Sequence, residues 1–122
     1  ITDSNYANAN GWDYEPTASE QTLEIALRLS SSMDNVKVGT IYSSDSFYMS
    51  DEDLKARART NTLGVEMETF ALYTNAKQSN KKALSLLTVT DHFVTGEKLT
   101  SEERVKNVDA MVYLALETII SL

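Results

Sequence analysis

The stretch GVEMETF, Gly64 to Phe70, sets Glu66 and Glu68 on either side of Met67, where a short apolar run gives way to a helical pattern. In a strand, side chains two apart share a face, so the two carboxylates would lie together unless the backbone turns between them. A turn there makes the stretch a strand-to-helix corner, and the question becomes how often the chain repeats that step.

Downstream, ETFALYTNAKQS (68–79) is helical and apolar nearly all round, which predicts a helix buried on more than one side. ALSLLTVTD, Ala83 to Asp91, is a continuous apolar run of strand length, as expected of a strand covered on both faces. SEERVKNVDAMVYLALETIISL (101–122) carries Val105, Val108, Val112, Ala115 and Ile119 on one stripe and predicts one long amphipathic helix opened by Ser101. Upstream, VKVGTIY (36–42) alternates like a strand, LGVEM (63–67) is a second short strand, and DEDLKARART (51–60) is an acidic-started helix suited to the positive end of the dipole. Thr17-Ala-Ser-Glu20 has the form of a capping box, with Leu23, Ala26 and Leu27 at helical spacing behind it. Strands alternating with helices predict an α/β layered fold with a largely parallel sheet.

Composition narrows the function classes. A chain of 122 residues with 42% hydrophobic and 24% charged side chains fits one ordinary domain with a core of its own. Eighteen acidic against eleven basic residues give a net charge of −7, which argues against a nucleic-acid partner. No apolar run has the length needed to span a bilayer, and ITDSNYANAN lacks the regions of a signal peptide, so the expectation is a cytoplasmic protein with no membrane partner. Without cysteine there is no disulfide framework and no thiolate zinc site. The start at Ile1, running straight into TDSN, reads as the interior of a longer sequence. The four glycines, Gly11, Gly39, Gly64 and Gly96, form no phosphate-cradling motif.

In α/β folds ligands sit beyond the carboxyl ends of strands. Three polar clusters fall at such ends: Ser43 to Tyr48, Glu66 to Glu68, and Thr90 to His92. Asp91, at the end of an apolar strand, is a candidate proton donor, because desolvation favours the neutral carboxyl there. Arg104, in the first turn of the last helix, opposes the dipole and so calls for a nearby anion, for which Asp91 is the candidate. An ionised Glu66 or Glu68 can accept from both hydroxyls of a vicinal diol such as a ribose. Phe47 and Tyr48 can give a flat base a stacking face. Each has an ordinary alternative: a solvated Glu-x-Glu pair, a turn-forming Asp, two core aromatics, a structural lone His92.

The pieces VKVGTIYSSDSFY, LGVEMETFALY, LLTVTDH and LTSEERVKNVDAMVYLALET, with TDSN near the start, together resemble the bacterial hexameric purine nucleoside phosphorylases of the nucleoside phosphorylase superfamily. The resemblance runs along essentially all of the chain and corresponds to the C-terminal half of a family member. It implies a three-layer αβα fold with a central mixed, largely parallel sheet, incomplete in this segment, with residues 1–122 as the C-terminal part of a single domain. The activity it implies is phosphorolysis of purine (2′-deoxy)ribonucleosides to free base and (2-deoxy)ribose 1-phosphate, a purine salvage reaction.

By that resemblance Glu68 holds the ribose 2′ and 3′ hydroxyls, Met67 packs on the sugar and Glu66 supports the contact. Phe47 stacks on the base while Tyr48 and Val65 line the pocket. Asp91 and Arg104 are catalytic, Asp91 protonating N7 and Arg104 pairing with it as the last helix closes. Thr90 stands beside them where the family has serine, keeping the hydroxyl. No cofactor and no metal are implied; inorganic phosphate is the co-substrate and the assembly is a homohexamer, a trimer of dimers. The family's phosphate-binding glycine and arginines, and the histidine and arginine lent by a neighbouring subunit, lie in the N-terminal half, so this segment alone is expected to be inactive. The competing readings are a nucleosidase that uses water, a nucleoside-binding or assembly subunit without catalysis, and a Mg²⁺ or Mn²⁺ site built from Asp45, Glu66, Glu68 and Asp91.

Overall fold

The structure, a computed structural model, describes residues 1–57 and 61–122. In chain order the elements are α1 (Tyr6–Ala9), α2 (Glu20–Ser30), β1 (Thr40–Ser43), α3 (Asp51–Arg57), β2 (Thr62–Glu66), α4 (Thr69–Gln78), α5 (Ser101–Lys106) and α6 (Asp109–Ile120). The chain is α/β, and it divides into two compact units: Ile1–Ala18 with Lys37–Ala83, and Ser19–Val36 with Leu84–Leu122.

In the first unit β1 and β2 pair in parallel, with α3 in the crossover that parallel strands require. Thr40 pairs with Thr62 but Ile41 with Gly64, so Leu63 is an extra residue, after which Tyr42 meets Val65 and Ser43 meets Glu66. The N-terminal segment lies along the other side of β1. The Ile1 nitrogen donates to the Ile41 carbonyl at 3.0 Å, Ser43 N–H donates to the Ile1 carbonyl at 2.9 Å, and Thr2 forms a parallel bridge with Ser43. Flanked on both sides, the end of β1 is the driest part of this unit: Tyr42, Ser43 and Ser44 are all buried.

The expected strand over 36–42 begins later than its pattern suggests, with Val36 and Val38 exposed. Alternation marks residues able to form a strand, whereas a ladder needs a neighbour, and pairing starts only at Thr40. The expected helix over 51–60 is present as α3; its residues 58–60 lie outside the described residues.

The α4 helix buries one narrow face, Thr69, Phe70 and Thr74, and packs on β1, while Leu72 is exposed. It is therefore not covered on several sides, as its composition suggested. Its flank toward the N-terminal segment is polar: Tyr6 Oη donates to Asn75 Oδ1 at 2.9 Å, Gln78 Nε2 donates to Tyr14 Oη at 2.7 Å, and Lys77 Nζ stands 3.9 Å from the Tyr14 ring centroid. The helix ends in a Schellman motif, in which Lys81 N–H donates to the Ala76 carbonyl and Asn80 N–H to that of Lys77. Asn80 takes the left-handed conformation this needs, at φ 53°.

In the second unit α2 packs against α6. The buried face of α2 is Thr22, Ile25, Ala26 and Ser30, and Leu27, expected inside, is exposed. On α6 the buried positions are Leu114 and Thr118. Hydroxyls can lie in this seam because each bonds its own backbone: Thr22 to the Ser19 carbonyl at 2.7 Å, Ser30 to Leu27 at 3.2 Å, Thr118 to Leu114 at 2.7 Å. The helix start is Ser19, not Thr17, and Ser19 makes no side-chain cap bond, so the expected capping box is absent.

Two expectations for this unit are corrected. The apolar run over Ala83–Asp91 forms no ladder beyond a bridge at Asp91, and Leu87 and Val89 are exposed. A strand of a parallel sheet exists only through its neighbours, and among the described residues the pairing of this run is confined to its end, at Thr90 and Asp91, where it is antiparallel. The long last helix is two, α5 and α6, parted at Asn107 and Val108, and the expected stripe is not the buried one: Val105, Val112 and Ile119 are exposed.

Candidate functional site

The corner at GVEMETF is built around Glu66. Register sets Ser43 of β1 beside it, and the Ser43 hydroxyl donates to Glu66 Oε1. The other oxygen, Oε2, accepts from Glu68 N–H at 2.7 Å and Thr69 N–H at 2.6 Å, N–H groups at the start of α4 that have no partner inside the helix. The Ser43 oxygen in turn accepts from Phe70 N–H at 3.0 Å, and the Glu66 carbonyl accepts from Ser44 N–H at 2.8 Å. One hydroxyl and one carboxylate thus satisfy three orphan donors of a helix start. Burial pushes the Glu66 carboxyl up, but the bonds from Ser43, Thr69 and Glu68 outweigh it and hold it below its ordinary value of 4.5.

The two glutamates therefore part company. Glu66 is half-buried with both oxygens engaged by protein donors, so it is committed to the fold and not open to a cation, as the Mg²⁺ or Mn²⁺ reading requires. Among the described residues no group of three or more His, Asp or Glu is placed to hold a metal ion. Glu68 is exposed at the N-cap position of α4, its Oε2 accepting, among the described residues, a 3.2 Å bond from Met67 N–H. Met67 is exposed beside it and Val65 is half-buried on β2.

After β1 the chain turns through a loop that carries Phe47 and Tyr48. They are 76% and 93% exposed, so neither is a core aromatic, and their rings meet edge to face at 5.1 Å. The loop is tied back to the N-terminal segment by Asp3, whose Oδ1 accepts from Asp45 N–H at 2.9 Å and whose Oδ2 accepts from Ser44 Oγ at 3.5 Å. Ser43 and Ser44 fall within the polar cluster expected at this strand end but carried no role of their own there, and Asp3, distant in sequence, was not singled out. A cavity of about 250 Å³ in this unit, lined by Thr2, Ser4, Asp13, Tyr14 and Phe70 among others, meets none of the sequence-predicted site residues.

In the second unit Thr90, Asp91 and Arg104 come together. Residues 90–99 form a hairpin, with Leu99 N–H on the Thr90 carbonyl, His92 N–H on the Glu97 carbonyl and an antiparallel bridge between Asp91 and Lys98. Gly96 closes it at φ 74°, in the left-handed region. His92 is structural, its Nδ1 accepting from Val94 and Thr95 N–H groups. Asp91 thus stands in a hairpin rather than at the end of a covered strand, and its side chain is 31% exposed.

The hairpin leads into Thr100, which caps α5. Its hydroxyl accepts from Glu103 N–H at 3.2 Å while Glu103 Oε2 accepts from Thr100 N–H at 2.7 Å, a capping box one residue earlier than the expected start at Ser101. The bonds from the Thr100 backbone and side chain hold the Glu103 carboxyl below its ordinary value. With the start of α5 fixed, Arg104 Nε donates to the Leu99 carbonyl at 3.2 Å and Nη2 to Asp91 Oδ1 at 3.0 Å. Thr90 Oγ1 donates to Asp91 Oδ2 at 2.8 Å, so both carboxylate oxygens have a partner. Asp91 is the anion that the placement of Arg104 called for. Because α5 is only six residues long, Arg104 falls in its last turn, where a cation suits the dipole.

The chain is similar to known proteins. Over residues 4–121 the chain matches the family model of the phosphorylase superfamily. It is 43% identical over 122 residues to a "Purine nucleoside phosphorylase DeoD-type" of Anoxybacillus flavithermus, covering 98% of this chain and 52% of that protein. To the protein of the same name from Clostridium beijerinckii it is 48% identical over 122 residues, 97% of this chain and 52% of that one. The chain spans about half the length of these curated relatives. A superfamily match that takes in both the Glu66 corner and the Asp91–Arg104 pair leaves one conclusion about kinship: the chain belongs to the phosphorylase superfamily.

Proposed function

We propose that this chain is the C-terminal part of a single nucleoside phosphorylase domain whose complete protein cleaves purine (2′-deoxy)ribonucleosides with inorganic phosphate, for purine salvage. The observation that carries the reading is the Thr90–Asp91–Arg104 constellation, with Arg104 3.0 Å from Asp91, in a chain 43% identical to a protein named for that activity. Cleavage builds oxocarbenium character on the ribose and negative charge on the departing base, so a proton delivered to the base is worth most in the transition state. Asp91 delivers it to N7, Arg104 pairs with the carboxylate left behind, and Thr90 orients it.

Glu68 takes the ribose 2′ and 3′ hydroxyls, for which an exposed carboxylate has acceptor sites to spare. Glu66 supports that contact and Met67 packs on the sugar. Phe47 stacks on the base, with Tyr48 and Val65 beside it; two aromatics this exposed suit a ligand's flat face better than a core. Phosphate, bound by residues outside this chain, attacks the anomeric carbon. The protein works in the cytoplasm as a homohexamer, a trimer of dimers, without cofactor or metal.

The test is release of base from inosine and adenosine by the complete gene product, with and without phosphate. Phosphate-dependent release is the expected result. Release without phosphate would move the assignment to a nucleosidase, and binding of inosine without release to a non-catalytic subunit.

A further inference from the structure

We propose that Ser43, a residue that touches neither sugar nor base in the functional reading, is the positioning residue of the ribose grip. The inference rests on the assignment of Glu68 to the ribose hydroxyls. Glu68 itself has little to hold it: it is exposed, and among the described residues its carboxylate accepts only a long bond from the N–H of its neighbour Met67. What fixes its backbone is the N–H it donates to Glu66 Oε2 at 2.7 Å. The orientation of the Glu66 carboxylate therefore decides where Glu68 points.

That orientation is set by Ser43. Its hydroxyl hydrogen goes to Glu66 Oε1, leaving Oε2 turned toward the Glu68 and Thr69 N–H groups. Its oxygen takes Phe70 N–H at 3.0 Å, so one atom braces the carboxylate and the first turn of α4 together. Ser43 is 4% exposed and stands in the middle of three chain segments, paired with Glu66 on one side and bridged to Thr2 on the other. Its position is thus fixed by backbone bonds rather than by a flexible stem. The next residue, Ser44, serves the loop bearing Phe47 instead, through Asp3 and the Ser46 carbonyl. Adjacent serines at the end of β1 divide the two halves of a nucleoside between them.

The experiment uses the complete gene product and compares inosine with 2′,3′-dideoxyinosine, which offers Glu68 no hydroxyl. Ser43→Ala should lower kcat/KM for inosine by about 10- to 100-fold, the scale of a misplaced binding group. It should leave that for the dideoxy substrate within about threefold, because only the grip has been lost. Ser43→Thr, which keeps the hydroxyl, should restore the wild-type ratio. If Ser43→Ala does not fold, Glu66→Gln is read in the same ratio and must shift it in the same direction. Equal losses on the two substrates, or no loss, overturn the inference while the functional reading stands. A wild-type protein that releases no base in the presence of phosphate overturns that reading, and this inference with it.

Discussion

Glu66 and Asp91 both follow apolar runs, yet the chain holds them in opposite ways. Glu66 is bound by a buried hydroxyl and two backbone N–H groups, dipoles that cannot leave without unwinding a helix start. Asp91 is bound by the hydroxyl of its neighbour and by the long side chain of Arg104, itself 47% exposed. An ion pair so open to water is worth about 0–1 kcal/mol. A carboxylate fixed by backbone dipoles is of use as structure because it stays ionised; one held by a side chain on another element can change partner while the fold stays as it is. In the proposed function the difference separates a residue that shapes the site from one that takes part in chemistry.

The sharpest way to break this contrast is Asp91→Asn in the complete gene product. Removing a general acid should lower kcat for inosine by about 10²- to 10⁴-fold, with KM changed little and the unfolding midpoint unmoved. Glu66→Ala should instead act on stability as well as on the ribose grip, destabilising the protein by about 1–3 kcal/mol in denaturant unfolding, since it strands a buried hydroxyl and two N–H groups. If Asp91→Asn unfolds the protein and Glu66→Ala does not, the two roles are exchanged.

The same contrast has an acid limb. The folded Glu66 carboxyl ionises below its ordinary value of 4.5, so its stabilisation is complete above that value and vanishes as pH falls through the lower folded one. Unfolding followed across that range should show a loss that Glu66→Gln largely abolishes. Thr100→Ala should cost about 1 kcal/mol, as the loss of an N-cap does. It should also weaken the hold of α5 on Arg104, seen as a lower kcat. The smallest effect is Arg104→Gln, which should change unfolding free energy by less than about 1 kcal/mol. A larger loss would mean that the pair at Asp91 is structural after all.

Elements with their own signals were legible in the sequence. The α2 and α4 helices and the parallel strands announced themselves by periodicity, and the turn between Glu66 and Glu68 was one of the two arrangements that their spacing left open. The pairing of Asp91 with Arg104 was argued from an awkward charge at the start of a long helix; the pair is there, but the premise is not, because α5 is short and Arg104 lies in its last turn. Thr100-x-x-Glu103 forms a capping box and Thr17-x-x-Glu20, of the same pattern, does not: the pattern shows that a box can form, not which of two neighbouring hydroxyls the backbone will offer. What could not be read depended on partners distant in sequence. The run over Ala83–Val89 has the composition of a strand but no ladder among the described residues, and the role of Ser43 arises only when residues 23 apart are brought into register. The exposure of Phe47 and Tyr48 belongs to the same class, because an aromatic pair reads alike whether it fills a core or awaits a ligand.

The extra residue at Leu63 gives the β1–β2 pairing a length tolerance on one side only. Counting regularly from Thr40 opposite Thr62 would have set Ser43 against Val65; the one-residue offset sets it against Glu66 instead. Deleting Leu63 would leave Ser43 and Glu66 opposite one another, while a residue added or lost between Gly64 and Glu66 would turn the carboxylate to the far face of the sheet. A change in chain length is thus bearable at Leu63 and ruinous in the three positions that follow, a boundary that recombination between relatives would have to respect.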